Sequence, residues 1–119
     1  MLRTRRAMVT SGTVMIVEPD PALAAIWAEV AVYAGFAAEV VPDLFEDTPG
    51  GSVQALVVRV SPARHRLPAG WKTNGRPRCI ALPSGEPGDI DLSDFDVVLP
   101  SDQLVRSLYA ELNHVAASA

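Results

Sequence analysis

Residues 13–41 read TVMIVEPDPALAAIWAEVAVYAGFAAEVV, and the reading of this stretch decides the fold. Thr13 to Val17 is a continuous apolar run, the pattern of a strand buried on both faces. Glu18-Pro19-Asp20-Pro21 ends it. Asp20 is a good N-cap, and Pro21 then takes the first helical position, where its missing N–H costs nothing. The helix is expected to run to about Ala34, with Leu23, Ile26, Trp27, Val30 and Ala34 recurring at spacings of three and four to make one apolar face. Gly35 stops it as the residue that can take a left-handed conformation. Ala37 to Val41 is a second strand, ended by Pro42.

Working outward, three more apolar runs follow: Val53 to Val60, Arg78 to Leu82 and Phe95 to Leu99. Asp43 to Thr48 could form a short helix before Pro49-Gly50-Gly51. Pro62, Pro68, Gly70 and Gly75 shorten or break any helix after the third strand. Residues 83–93 are rich in Gly, Pro and Asp and have little helical potential. Ser101 is placed as the cap of a last helix, with Leu104, Val105, Leu108, Leu112 and Val115 on its buried side. Five strands alternating with helices or loops predict a three-layer α/β sandwich with a five-stranded parallel sheet. The flavodoxin-like strand order 2-1-3-4-5 is its natural closure, with the helices after the third and fourth strands shortened or missing. The expected organisation is a flexible tail over residues 1–12 and one domain over residues 13–116.

The chain has 119 residues, 49% hydrophobic and 20% charged, enough for one core and too few for two domains. Its net charge of −4 argues against a general nucleic-acid coat protein. One cysteine, Cys79, excludes a disulfide framework and a multi-cysteine metal site, and its place inside a strand makes it a small core residue. No apolar run is long enough to span a bilayer and no secretory signal is visible, so the cytoplasm is the expected compartment. The ten basic residues are nine Arg and one Lys, Lys72.

The segment at residues 13–41, with Arg78–Leu82 and then Phe95–Leu112, resembles the receiver domain of bacterial response regulators. The first half carries that family's strand, acidic turn, helix, Gly-aromatic pair and second strand. The resemblance implies a pocket at the strand ends that holds Mg²⁺ and accepts a phosphoryl group. The residues that do this work depart from the family pattern. Of the two acids after the first strand, Glu18 fits the first place and Pro19 stands in the second. Aligning ALVVRVSP with the third strand puts Arg59 in the place of the phosphoacceptor Asp. Where a Thr or Ser ends the fourth strand, Pro83 stands, with Ser84 next. Where a Lys precedes the Pro after the fifth strand, Leu99 stands before Pro100. An Arg presents only donors and cannot be the carboxylate nucleophile that phosphoryl transfer needs. Arg59 is therefore expected in the pocket, paired with Glu18 and with Asp20 as a further acceptor, and neither metal nor cofactor is expected. A register one or two residues away would instead leave Arg59 in solvent.

Other constellations are weaker. His65 and His114 read as surface residues. Ser61 and His65 lack the glycines of a nucleophile elbow. No Walker loop or GxGxxG follows the first strand. The stretch from Arg59 to Arg78 holds six cations, among them Arg64 and Arg66, together with Trp71, and could grip a phosphate backbone or an acidic partner. Residues 86–102 carry Glu86, Asp89, Asp91, Asp94, Asp96 and Asp102. The two loops could pair with each other or mark two faces, and the plainer reading is two solvated loops. On the last helix, Arg106 and Tyr109 are the candidate interface anchors.

The sequence therefore predicts a stand-alone receiver-like protein that is not an enzyme. It would act in bacterial signalling as a phosphorylation-independent interaction module, with a protein partner or a second copy of itself and no membrane. The alternatives are a small flavodoxin-like cofactor-binding or enzymatic domain, and a nucleic-acid adaptor using residues 59–78.

Overall fold

The computed structural model describes residues 12–42, 53–62, 65–67, 77–84 and 90–118. Its elements are β1 (Thr13–Val17), α1 (Pro21–Tyr33), β2 (Ala37–Val41), β3 (Val53–Arg59), β4 (Arg78–Leu82), β5 (Val97–Val98) and α2 (Leu104–Ser118). The strands form one parallel sheet in the order β2-β1-β3-β4-β5. The predicted fold class and strand order are thus those of the protein. The tail up to residue 11 and the short helix over Asp43 to Thr48 fall outside the described residues.

Local chemistry sets the first helix. Asp20 is extended (φ −88°, ψ 113°), and its carboxylate accepts the Ala22 N–H at 2.9 Å, with Pro21 as the first helical residue. At the other end Gly35 takes φ 95°. This conformation lets the Phe36 N–H reach Ala31 O at 3.0 Å and the Gly35 N–H reach Val32 O at 3.0 Å, the paired closure of a Schellman turn. The chain then enters β2 directly, and α1 packs back on β1 and β2.

Alternation along the strands divides the core into two. Val14, Ile16, Ala55, Val57, Ile80 and Leu82 share one face with Trp27, Val30 and Ala31 of α1 and with Leu108, Leu112 and Val115 of α2. Met15, Val17, Leu56, Val58, Cys79 and Ala81 form the other face. Right-handed crossovers explain this division. The step from β1 to β2 runs one way across the sheet and puts α1 on one side. The steps β3–β4 and β4–β5 run the opposite way, and their described residues Val60, Leu67, Leu92 and Phe95 pack on the other side. After β5, α2 returns to the α1 side and packs against α1. Among the described residues the third layer is irregular chain, with Val60, Leu67 and Phe95 buried and Leu92 packed against them. No helix occurs among the described residues between β3 and β5. Each fully buried Leu, Ile or Val contributes about 1.5–3 kcal/mol relative to exposure.

Three details differ from the sequence reading. Strand β5 is two residues long instead of five. Phe95 turns into the irregular layer, and Asp96 closes the ladder differently: its N–H donates to Cys79 O at 2.8 Å while its carboxylate accepts the Cys79 N–H at 2.8 Å. Helix α2 starts at Leu104 rather than at a Ser101 cap, because residues 101–103 form a turn in which the Gln103 N–H donates to Pro100 O. Finally, Ile26 and Val105, expected in the core, are exposed, and Ala24 and Ala31 take the buried positions on α1.

Candidate functional site

In open parallel sheets the carboxyl ends of the strands meet where the strand order reverses, which here is between β1 and β3. Glu18 follows β1 directly and Arg59 ends β3. Alternation puts both on the helix-covered side: Glu18 continues Val14 and Ile16, and Arg59 continues Ala55 and Val57. The register sets Arg59 beside Leu82, the last residue of β4. A carboxylate and a guanidinium therefore meet under the first turns of α1.

The Glu18 side chain is only 2% exposed, and both of its oxygens are satisfied. Oε1 accepts the Trp27 indole N–H at 2.8 Å and the Arg59 Nε–H at 3.0 Å. Oε2 accepts the Asp20 backbone N–H at 3.2 Å. The Glu18 N–H donates to Val41 O, which ties the turn to β2. Arg59 spreads over the rest of the edge. Its Nη1 donates to Pro83 O at 3.0 Å and to Ser84 Oγ at 3.4 Å, and its guanidinium carbon lies 5.6 Å from the Trp27 ring centroid, within cation–π range. The position has one formal positive and one formal negative charge in direct contact, closed on one side by an aromatic ring. Chemically it is a neutral, hydrogen-bonded plug. The Glu18 lone pairs that could face a cation are occupied by N–H donors, and a guanidinium stands beside them.

The other expected site residues separate. Asp20 does not join the pair, since its carboxylate is used at the α1 cap. Ser84 joins through its hydroxyl. Leu99 is buried in the helix-side core, its N–H donating to Ala81 O. Among the described residues no group of three or more His, Cys, Asp or Glu is placed to hold a metal ion. Trp27 and the Pro83 carbonyl were not expected at the site. The signal for Trp27 was present, because a buried indole N–H requires an acceptor and Glu18 is the acid beside its helix.

The candidate interaction residues also divide. Arg64 and Trp71 lie outside the described residues. Arg66 is bound by the acidic loop: Nε to Asp94 Oδ2 at 3.1 Å and Nη1 to Asp91 Oδ2 at 3.5 Å. Asp94 Oδ2 also accepts the Leu67 N–H at 2.8 Å, and His65 Nδ1 lies 3.1 Å from Asp91 O. At Arg66, among the described residues, the two charged loops pair with each other. The Asp91 carboxyl is held below the ordinary carboxylate range, mainly by hydrogen bonds from the Ser93 backbone N–H and the Ser93 hydroxyl, with Arg66 adding to the effect. Arg106 and Tyr109 are exposed on α2. Cys79 is fully buried. Arg78 pairs with Glu111 and fastens β4 to α2. No helix among the described residues is long and apolar enough to cross a membrane.

No protein-family model matches the chain, and no curated protein matches it. Among solved structures it is similar to a protein of Burkholderia pseudomallei K96243 provisionally described as pilus assembly-related, at 15% identity and a TM-score of 0.66, covering 98% of this chain and 97% of that one. The likeness establishes the fold over nearly the whole length. A parallel sheet in the order 2-1-3-4-5 is consistent with a receiver-like fold.

Proposed function

We propose that this chain is a receiver-like interaction module that works in bacterial signalling without accepting a phosphoryl group. The observation that carries the reading is the Glu18–Arg59 contact, 3.0 Å long and capped by Trp27. Phosphoryl acceptance in a receiver needs a carboxylate at the end of the third strand and a divalent ion beside it. Here a guanidinium fills the first place and uses up the acid that would serve the second. Among the described residues at this edge the carboxylate, Glu18, is held by Arg59 and Trp27, which favours a non-enzymatic reading. What remains for the fold to offer is shape and surface. Docking is also the simplest use of a neutral, permanently set site, because such a site has no second state to switch to. The pilus-assembly description of the structural neighbour belongs to that protein, and a docking module would suit such a setting. The nucleic-acid alternative is weakened by the acids that hold Arg66.

The test is incubation with acetyl phosphate and Mg²⁺ followed by intact mass, alongside Mg²⁺ titration followed by tryptophan fluorescence. Unchanged mass and no saturable fluorescence change are expected. A stoichiometric phosphoryl adduct would overturn the proposal.

A further inference from the structure

The two faces of the sheet are covered by different means. On one side two helices seal the core, and the Arg78–Glu111 pair fastens α2 to β4. On the other side the described cover is irregular chain. One short piece of it, residues 65–67, carries Leu67, only 4% exposed, into the cluster that holds Val58, Val60, Ala81 and Phe95.

Among the described residues, every hydrogen bond and ion pair of this piece ends on Asp91 or Asp94. Arg66 Nε and the Leu67 N–H share Asp94 Oδ2, Arg66 Nη1 reaches Asp91 Oδ2, and His65 Nδ1 lies against Asp91 O. The acidic side of the contact is braced without residues 65–67. There the Ser93 N–H donates to Asp91 Oδ1, the Phe95 N–H donates to Leu92 O, and Asp96 is clamped to Cys79 through both its N–H and its carboxylate. The chain leaving β3 is likewise fixed as far as Val60, whose N–H donates to Leu82 O. The contact is therefore asymmetric: a braced acidic cradle, and a strap laid into it.

The two arms of the contact differ in how solvent reaches them. The Arg66 and Asp91 side chains are 55% and 53% exposed, so ions screen that arm. The Asp94 side chain is 9% exposed, and its charge-assisted bonds are sheltered. An exposed ion pair contributes little by itself. A piece of chain with one apolar anchor and no ladder or helix bonds opens at lower free energy than the strands beneath it.

We propose that residues 65–67 are an ionic strap that lifts from the Asp91–Asp94 cradle while the sheet and the Glu18–Arg59 edge stay folded. Lifting withdraws Leu67 from the second core and uncovers its apolar seat. The strap gives the molecule two states biased by ionic strength, on a flank separate from the permanently set strand-end site. The inference goes beyond the functional reading and does not rest on it.

The experiment is native-state amide hydrogen exchange of the full chain, followed by NMR at Leu67, Val60, Asp96 and Val57. It compares the wild type, Arg66→Gln and Asp94→Asn, each at low and at high NaCl. Asp94→Asn keeps an oxygen that can accept the Leu67 N–H, so it tests the charge of the cradle. In the wild type, Leu67 should be less protected than the other three amides. Either substitution should lower its protection about tenfold and leave Val60, Asp96 and Val57 unchanged. High salt should lower Leu67 protection in the wild type, and by less in Arg66→Gln. Leu67 exchanging only together with Val57 would overturn the proposal, since the strap would then open only with the whole fold. So would Leu67 protection indifferent to both substitutions or to salt, or a uniform loss at all four amides. A phosphoryl adduct in the earlier test would overturn the functional reading and leave the strap untouched, and failure of the strap would do the reverse.

Discussion

Arg59 at the end of β3 donates its Nε–H to Glu18 Oε1 across 3.0 Å, joining residues 41 positions apart in sequence. The contact spans the central strand pair of the sheet, so it reports on the whole strand register as well as on the local site. Removing either partner tests both.

Arg59→Met leaves the buried Glu18 carboxylate with the Trp27 indole and the Asp20 N–H and no counter-charge. A buried pair broken on one side costs about 3–5 kcal/mol, whereas exchanging both partners for uncharged groups is close to neutral. Urea unfolding should therefore show a large loss for Arg59→Met and a smaller one for Arg59→Met with Glu18→Gln. Additive losses would mean that the pair is not coupled.

Trp27→Phe keeps most of the apolar volume under α1 and removes the N–H that reaches Glu18 at 2.8 Å. A hydrogen bond to a charged group is worth about 1.5–3 kcal/mol, and a loss of that order is expected in denaturant midpoints. A change below that range would show that Arg59 alone satisfies Oε1.

Asp20→Ala should cost about 1 kcal/mol and Asp20→Asn much less, because the role of this residue is to accept the Ala22 N–H at the cap. Were Asp20 instead a working partner of the Glu18–Arg59 pair, loss of its charge in Asp20→Asn would be the damaging change. Thermal unfolding of the two variants separates these roles.

Asp91 titrates below its ordinary value in the folded protein because Ser93 donates to it and Arg66 lies nearby. A folded value lower than the unfolded one contributes stability above the unfolded value, and that contribution is lost as pH falls through the folded value. The loss therefore belongs to the acid limb, below the ordinary carboxylate range. Asp91→Asn should remove this part of the acid dependence and leave the neutral-pH fold intact, as followed by side-chain NMR titration and by unfolding at stepped pH.

The sequence of residues 13–41 carried its own punctuation, and the structure follows it: Asp20-Pro21 at one end of α1 and Gly35 at the other fix boundaries through local hydrogen bonds. The pairing of Arg59 with Glu18 was expected through the receiver resemblance, which set Arg59 at the end of the third strand; a register one or two residues away would have moved it to solvent, and the strand alternation of the structure decides between the two. The limits of the helical stripes were not readable. Ile26 and Val105 fit the three-four spacing, yet they sit at the margins of their helices, and whether a margin is covered depends on where the neighbouring helix lies. The length of β5 was hidden for a related reason. Phe95, Val97, Val98 and Leu99 have strand-like composition, but the Asp96 carboxylate makes a ladder contact that a backbone group would make in a longer strand. The pairing of Arg66 with Asp91 and Asp94 was visible only as one possibility beside two solvated loops or two separate faces, since loop charges give no register.

That carboxylate also bears on how the molecule behaves when crowded. An outermost strand with a free row of N–H groups is a template on which another chain can polymerise. Here the outer strand beyond β4 is two residues long, and the Cys79 N–H is already occupied by Asp96. At the opposite margin β2 carries an exposed Glu39, a charge that repels an incoming strand. Both margins of the sheet are thus blunted against fibril-like growth.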